Sequence, residues 1–178
     1  MDYFEVFGLP RLLGIDTAAL EKTFHELSRK YHPDYFTTAS AAEKTQAVRM
    51  TALLNDAYRT LRHPVHRVEY LLSLYGLKGD GSKVPQELLM EVFEINEHME
   101  EVKAGRASVE EVDSLRAQIK EKRERFDEQL QHAALHWDEL IKNRGAETRL
   151  KGQLAKLAEI LSESSYIRNL ERDLEGES

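Results

Sequence analysis

Residues 17–31, TAALEKTFHELSRKY, decide the fold, and His32-Pro33-Asp34 follows them directly. The apolar side chains of this stretch recur at the spacing of one face of an α-helix. Asp16 before it is a typical N-cap residue, and Pro33 cannot continue a helix. We therefore predict a helix from about Thr17 to Tyr31 whose buried stripe is Leu20, Phe24, Leu27 and Tyr31.

A second long helix is predicted after residues 32–39, which have no helical period. Ser40 and Glu43 have the spacing of a capping box, in which each side chain binds a backbone N–H of the other residue. Two helices with stripes of similar length favour an antiparallel hairpin with the tripeptide at its tip. A short helix near Tyr3 and another from Pro64 to Tyr75 would pack against it. The stripe of the second helix is Ala47, Met50, Leu54, Ala57, Tyr58 and Leu61.

The composition favours helices and excludes several classes of protein. The 178 residues contain no cysteine, nine Gly and four Pro, so disulfides, thiolate nucleophiles and Cys-type zinc sites are excluded. A net charge of −7 argues against a nucleic-acid partner. No apolar run is long enough to span a membrane, and no targeting segment is evident at the N-terminus, so we expect a cytoplasmic all-α protein that needs no cofactor.

The chain is predicted to form two domains with different charge. Residues 1–76 hold nine basic and nine acidic residues, whereas residues 77–178 hold sixteen and twenty-three. The segment between them, LKGDGSKVP, is the only one dense in Gly and Pro. We place a first domain at residues 1–76, a linker at 77–86 and a second domain at 87–178. Three helical segments in the second domain, at about 86–103, 108–143 and 146–173, predict an antiparallel three-helix bundle.

The first predicted helix also has a charged outward face. At about 100° per residue, Lys22, His25 and Arg29 lie opposite the apolar stripe and point to solvent together. Taken alone, His32-Pro33-Asp34 fits an ordinary helix end. Its context is more specific, because the segment DYFEVFGL at residues 2–9, the first helix, the tripeptide and the segment NDAYRTL at residues 55–61 occur in that order.

This order closely resembles a J-domain, and the resemblance covers residues 1 to about 62. In that family the tripeptide docks on an ATP-bound chaperone of the DnaK/HscA class and triggers ATP hydrolysis. The resemblance therefore implies that His32, Pro33 and Asp34 are the trigger. It implies that Lys22, Arg29 and Lys30 make the electrostatic contacts. Glu26 lies among these charges, which should weaken or tune the docking field.

The following residues resemble one J-domain subfamily, HscB, the co-chaperones of iron–sulfur cluster assembly. The resemblance rests on LRHP at residues 61–64, on Arg67 with EYLL at residues 69–72, and on the short acidic helical second domain. It implies a non-enzymatic adaptor that delivers the scaffold protein IscU to an HscA/DnaK-type chaperone and stimulates its ATPase. The alternative is a J-domain adaptor for a different client of a DnaK-type chaperone.

The helix after Pro85 offers an independent argument for a partner surface. Its core stripe is predicted to be Leu88, Val92, Ile95, Met99 and Val102, which leaves Leu89, Met90 and Phe93 facing away. An exposed apolar patch edged by carboxylates is typical of a binding surface, although the same pattern fits a helix buried on two sides. The HscB resemblance assigns this face to scaffold binding through Leu89, Met90, Phe93, Glu94, Glu97 and Glu101, with Tyr166 at a position where a core role fits equally well.

Other signals are weaker. His132 and His136 are spaced i, i+4 on a predicted helix, but no His-Glu-x-x-His pattern accompanies them, so we predict no metal site. Gly79 to Lys83 lacks the ending and the preceding strand of a phosphate-binding loop. Phe126, Leu130, Trp137 and Leu140 have helical spacing and are expected in the core of the bundle.

Overall fold

The computed structural model describes residues 1–36, 38–78 and 85–175, and these residues form helices and turns without a strand. The predicted all-α class is confirmed. The described residues contain seven α-helices: α1 (Tyr3–Val6), α2 (Thr17–Lys30), α3 (Ala41–Arg62), α4 (Pro64–Leu74), α5 (Gln86–Lys103), α6 (Val109–Lys142) and α7 (Glu147–Glu175).

The chain divides into two compact units, Met1–Leu71 and Leu72–Ser178. The first is built from α1–α3 and most of α4, and the second contains α5–α7. Residues 79–84 of the predicted linker lie outside the described residues, so the linker at 77–86 stays a prediction. No helix among the described residues is both long and apolar enough to cross a membrane.

Capping residues mark where three of the long helices begin. Asp16 accepts hydrogen bonds from the backbone N–H groups of Ala18 and Ala19 at 2.9 and 3.1 Å. Ser40 forms the expected capping box with Glu43, and Ser108 forms one with Glu111. These bonds satisfy N–H groups that have no partner within the first helical turn. Helices α2, α3 and α6 therefore start within one residue of their predicted positions.

In the first unit, α2 and α3 pack against each other through the predicted stripes. Leu20 and Leu54 are almost fully buried, and the rings of Phe24 and Tyr58 stack with centroids 4.3 Å apart. Helix α1 adds Phe4, which is completely buried. The stripe of α3 is confirmed in the same way, with Ala47, Ala57 and Leu61 buried beside Leu54.

Arg67 is a charged residue inside the first unit, with only 5% of its surface exposed. Its Nε donates to the carbonyl oxygen of Leu61 at 2.6 Å, and its Nη1 donates to the carbonyl oxygen of Leu13. Its Nη2 lies 3.5 Å from the carbonyl oxygen of Arg62. The guanidinium thus binds carbonyls at the end of α3 that no helical N–H reaches, and it fixes the α1–α2 loop to that end.

In the second unit, the long helix α6 packs against α7 along much of its length, and α5 covers one end of the pair. An ion pair at 2.5 Å between Lys122 and Glu91 holds α5 to α6. Trp137 is completely buried, and Tyr75 packs edge-on against it. One core cluster joins α5 to both longer helices through Leu88, Ile95, Met99, Leu115, Ile119, Ile167, Leu170 and Leu174.

Candidate functional site

The His-Pro-Asp tripeptide lies between α2 and α3, where a short 3-10 turn runs from Pro33 to Phe36. The side chains of His32 and Asp34 are 54% and 84% exposed. The Asp34 backbone N–H donates to Nδ1 of His32 at 3.3 Å, and the Asp34 carboxylate lies 3.4 Å from the same nitrogen. These local contacts orient both side chains toward each other while leaving them accessible to a partner.

The tripeptide is anchored to both helices of the hairpin. The backbone N–H of His32 donates to the carbonyl of Arg29 at 3.3 Å, which ties it to the end of α2. The hydroxyl of Thr51 on α3 lies within hydrogen-bond distance of two carbonyl oxygens, that of Ala47 at 2.9 Å and that of Tyr31 at 3.1 Å. The carbonyl of His32 accepts from the N–H of Tyr35 at 3.0 Å. The exposed side chains are therefore presented on a fixed backbone.

A shallow groove joins the tripeptide to the outward face of α2. It is lined by His25, Ser28, Arg29, His32, Asp34 and Tyr35. Lys22 is exposed on the same face of α2, two turns before Arg29, and Glu26 is exposed between the two. Lys30 does not line the groove, because its ammonium lies over the ring of Tyr31 at 5.5 Å from the centroid. The structure thus places Arg29 directly at the tripeptide and Lys30 to one side.

Tyr35 is a groove residue that the sequence pattern did not single out. Its side chain is 72% exposed, and its ring lies edge-on to His32 with centroids 6.3 Å apart. It belongs to the 3-10 turn, which is too short to give an amphipathic period. An aromatic residue directly after the tripeptide was the available signal.

The second candidate surface is the outward face of α5, and its predicted orientation is confirmed. Leu88, Ile95 and Met99 are buried, whereas Leu89, Met90 and Phe93 are 44%, 59% and 63% exposed. These three residues form the apolar patch. Gln86 and Glu94 line the same shallow groove as the patch, and Gln86 is a neighbour that the sequence analysis did not include.

The acidic residues extend from the patch along α5. Glu94, Glu97 and Glu101 are all exposed and recur at the spacing of one helix face. Glu101 lines a separate small groove with His98 on α5 and Glu111 on α6. Only Glu94 lines the groove of the apolar patch. A partner that contacts all three carboxylates would therefore have to follow α5 for about two turns.

Tyr166 on α7 is half-buried, and its next neighbour Ile167 is completely buried in the core cluster. A half-buried side chain at this position is compatible with both scaffold binding and a role in the core. His132 and His136 are exposed, and Nδ1 of His136 lies 3.7 Å from Glu139. The described part of the chain holds no group of three or more His, Asp or Glu side chains that could bind a metal ion.

Comparison with known proteins agrees with this two-unit organisation. The family model of the DnaJ domain matches residues 2–70, and that of the HSCB C-terminal oligomerisation domain matches residues 84–175. The chain belongs to the HscB family of J-domain co-chaperones. A protein with a J-domain of this family has an Hsp70-type chaperone as its partner.

Solved structures of HscB proteins resemble the whole chain. Human co-chaperone protein HscB is 27% identical with a TM-score of 0.73, and the match covers 99% of this chain and 82% of the human one. Chaperone HscB from Vibrio cholerae is 29% identical with a TM-score of 0.64, and the match covers 99% and 96% of the two chains. The predicted J-domain followed by a helical C-terminal domain is therefore the fold of this family.

Proposed function

We propose that this HscB-family chain is a non-enzymatic, cytoplasmic adaptor for iron–sulfur cluster assembly. Its J-domain engages an HscA/DnaK-type chaperone and stimulates that chaperone's ATPase, and its second unit binds the scaffold IscU. The observation that carries the proposal is that each compact unit exposes one patch with the chemistry of a docking site. One is the His-Pro-Asp tripeptide beside a basic helix face, and the other is the apolar patch of α5.

On the chaperone side, the relevant groups are held in place before binding. His32 and Asp34 are exposed on an anchored backbone, so little conformational entropy is lost when they dock. Lys22 and Arg29 on α2 would attract an acidic chaperone surface, and Glu26 would weaken that attraction. Docking should therefore depend on salt concentration, with the tripeptide supplying the specific contacts.

On the scaffold side, α5 uses opposite faces for folding and for binding. Leu88 and Ile95 fix the helix in the core, while Leu89, Met90 and Phe93 offer apolar area that is still exposed. The carboxylates that extend from the patch favour a partner with an apolar surface next to basic side chains. Because the chain belongs to the HscB family, we propose IscU as the partner of this patch.

An adaptor of this kind works by bringing two proteins together. Binding IscU to the second unit raises its effective concentration near the chaperone to which the J-domain is docked. The tripeptide couples that arrival to ATP hydrolysis, so client delivery and chaperone closure occur together. The chemical step itself belongs to the chaperone.

Steady-state ATP hydrolysis by an HscA-type chaperone tests both surfaces. We expect this chain to stimulate hydrolysis, and IscU to add to the stimulation synergistically. His32→Gln should abolish the stimulation by this chain, because it removes the imidazole at the exposed tripeptide. His66→Gln is the matched control, since His66 is also exposed in the J-domain but lies outside the tripeptide groove.

The outcomes separate the parts of the proposal. Stimulation that is indifferent to IscU would refute the scaffold assignment and indicate a different client. Equal stimulation by His32→Gln and the unchanged chain would refute the role of the tripeptide. No stimulation of any DnaK/HscA-class chaperone would refute the function as a whole.

A further inference from the structure

The four methionines of the chain differ sharply in exposure. Met1 at the N-terminus is 82% exposed, Met50 on α3 is half-buried and Met99 on α5 is 2% exposed. Met90 is 59% exposed and is one of the three residues of the apolar patch. Since the chain has no cysteine, these thioethers are its only sulfur atoms that an oxidant can attack.

We propose that Met90 is a reversible oxidation site that controls binding at the apolar patch. This inference rests on the proposed function, because it concerns the surface that is proposed to bind IscU. Its basis is the position of Met90: the thioether is accessible to small oxidants, and the same helix face carries the other two apolar patch residues, Leu89 and Phe93.

The reaction needs only a peroxide such as hydrogen peroxide. A lone pair of the Met90 Sδ attacks one peroxide oxygen, the O–O bond breaks and an S–O bond forms. The second oxygen leaves as water after a proton transfer, so the thioether and hydrogen peroxide become sulfoxide and water. Sulfur is oxidised by two electrons and the peroxide is reduced. Methionine sulfoxide reductases restore the thioether.

Oxidation would change the patch without disturbing the fold. The sulfoxide oxygen is a strong hydrogen-bond acceptor, and burying it against an apolar partner without a donor is unfavourable. Of the two polar side chains in the groove, the Glu94 carboxylate offers no donor, and a partner seated on the patch would have to leave the Gln86 amide free to compensate the sulfoxide. Because Met90 contributes mainly exposed surface, α5 remains held by Leu88, Ile95 and Met99.

Helix α5 contains its own internal comparison. Met99 lies nine residues after Met90 on the same helix but is packed in the core cluster, where peroxide has little access. We therefore expect dilute hydrogen peroxide to oxidise Met90 much faster than Met99. Peptide mass spectrometry of the full-length folded chain measures this directly, as the gain of one oxygen atom per methionine.

The functional test compares the unchanged chain with Met90→Leu, which keeps the apolar volume but cannot be oxidised. Peroxide should weaken binding of the unchanged chain to immobilised IscU by at least about tenfold, and a methionine sulfoxide reductase should restore it. Met90→Leu should bind before and after peroxide with equal affinity, even though Met1 and Met50 are still available to react. This variant therefore separates oxidation at the patch from oxidation elsewhere.

Three results would overturn the inference. One is that Met99 reacts as fast as Met90 in the folded chain. Another is that the fully oxidised Met90 form binds IscU as well as the reduced form. A third is that Met90→Leu loses binding to the same extent after peroxide. If the untreated chain fails to bind IscU at all, the proposed function fails instead, and the relative reactivity of Met90 and Met99 still tests the site itself.

Discussion

Replacing Leu89, Met90 and Phe93 together by alanine would remove the apolar patch and leave the rest of α5 in place. All three side chains are substantially exposed, and none of them belongs to the core cluster. Alanine is the strongest helix former, so the helix should be preserved. The variant should therefore fold like the unchanged chain and differ only in what it can bind.

The size of the effect follows from the area that binding would bury. Burying a whole large apolar side chain contributes about 1.5–3 kcal/mol. Since 44%, 59% and 63% of the three residues are still exposed, each can contribute roughly half of that amount on docking. The triple variant should then lose about 2–4.5 kcal/mol of binding free energy, which is roughly a 30- to 1,500-fold weaker affinity for IscU.

Isothermal titration calorimetry with IscU measures this loss, and circular dichroism checks the helical content. Leu135→Ala is the matched control, because Leu135 is 52% exposed on α6 and lies outside the patch. It should leave the affinity unchanged. If the triple variant keeps its helical content and binds IscU within about threefold of the unchanged chain, the reasoning from exposed area is wrong.

Two further predictions concern stability. Arg67→Met should lower the free energy of unfolding by about 3–5 kcal/mol in urea titrations, because it removes the buried guanidinium and its hydrogen bonds to the carbonyls of Leu13 and Leu61. Arg67→Lys should recover only part of the lost stability, since one ammonium cannot reach the carbonyls of both Leu13 and Leu61. A loss below about 1 kcal/mol for Arg67→Met would contradict this role of the guanidinium. Hydrogen bonds from the backbone N–H and the hydroxyl of Ser108 hold the pKa of Glu111 below its usual 4.5. A carboxyl whose pKa is lowered by folding stabilises the native state above its unfolded pKa and loses that effect as the pH falls through the folded value. Glu111→Gln should therefore lower the melting temperature at pH 7 more than in acid below the folded pKa. An equal loss at both pH values would refute the assignment.

The helices were predictable because their signals are local. Asp16, Ser40 and Ser108 mark helix starts through hydrogen bonds to residues two or three positions away, which the sequence displays directly. The two faces of α5 were predictable for the same reason, since a period of 3.6 residues assigns each side chain a direction. The prediction that Phe126, Leu130, Trp137 and Leu140 lie in the core of the bundle is confirmed, with Phe126 half-buried against the core cluster and the other three buried.

Other features depend on contacts that the sequence does not display. The burial of Arg67 follows from carbonyls brought together from the α1–α2 loop and the end of α3, and no local pattern marks a charged side chain as internal. The 3-10 turn at Pro33–Phe36 spans too few residues to show a period. The roles of the tripeptide and of the α5 carboxylates come from the J-domain and HscB resemblance, because exposure alone does not name a partner.

The single tryptophan gives the second unit an optical label of its own. Trp137 is completely buried beside Tyr75, and the residues of the first unit, Met1–Leu71, include no tryptophan. Selective excitation of the indole should therefore follow the melting of the helical bundle alone, whereas circular dichroism follows both units. A difference between the two melting curves would show that the J-domain and the bundle unfold independently, and the measurement needs no added fluorophore.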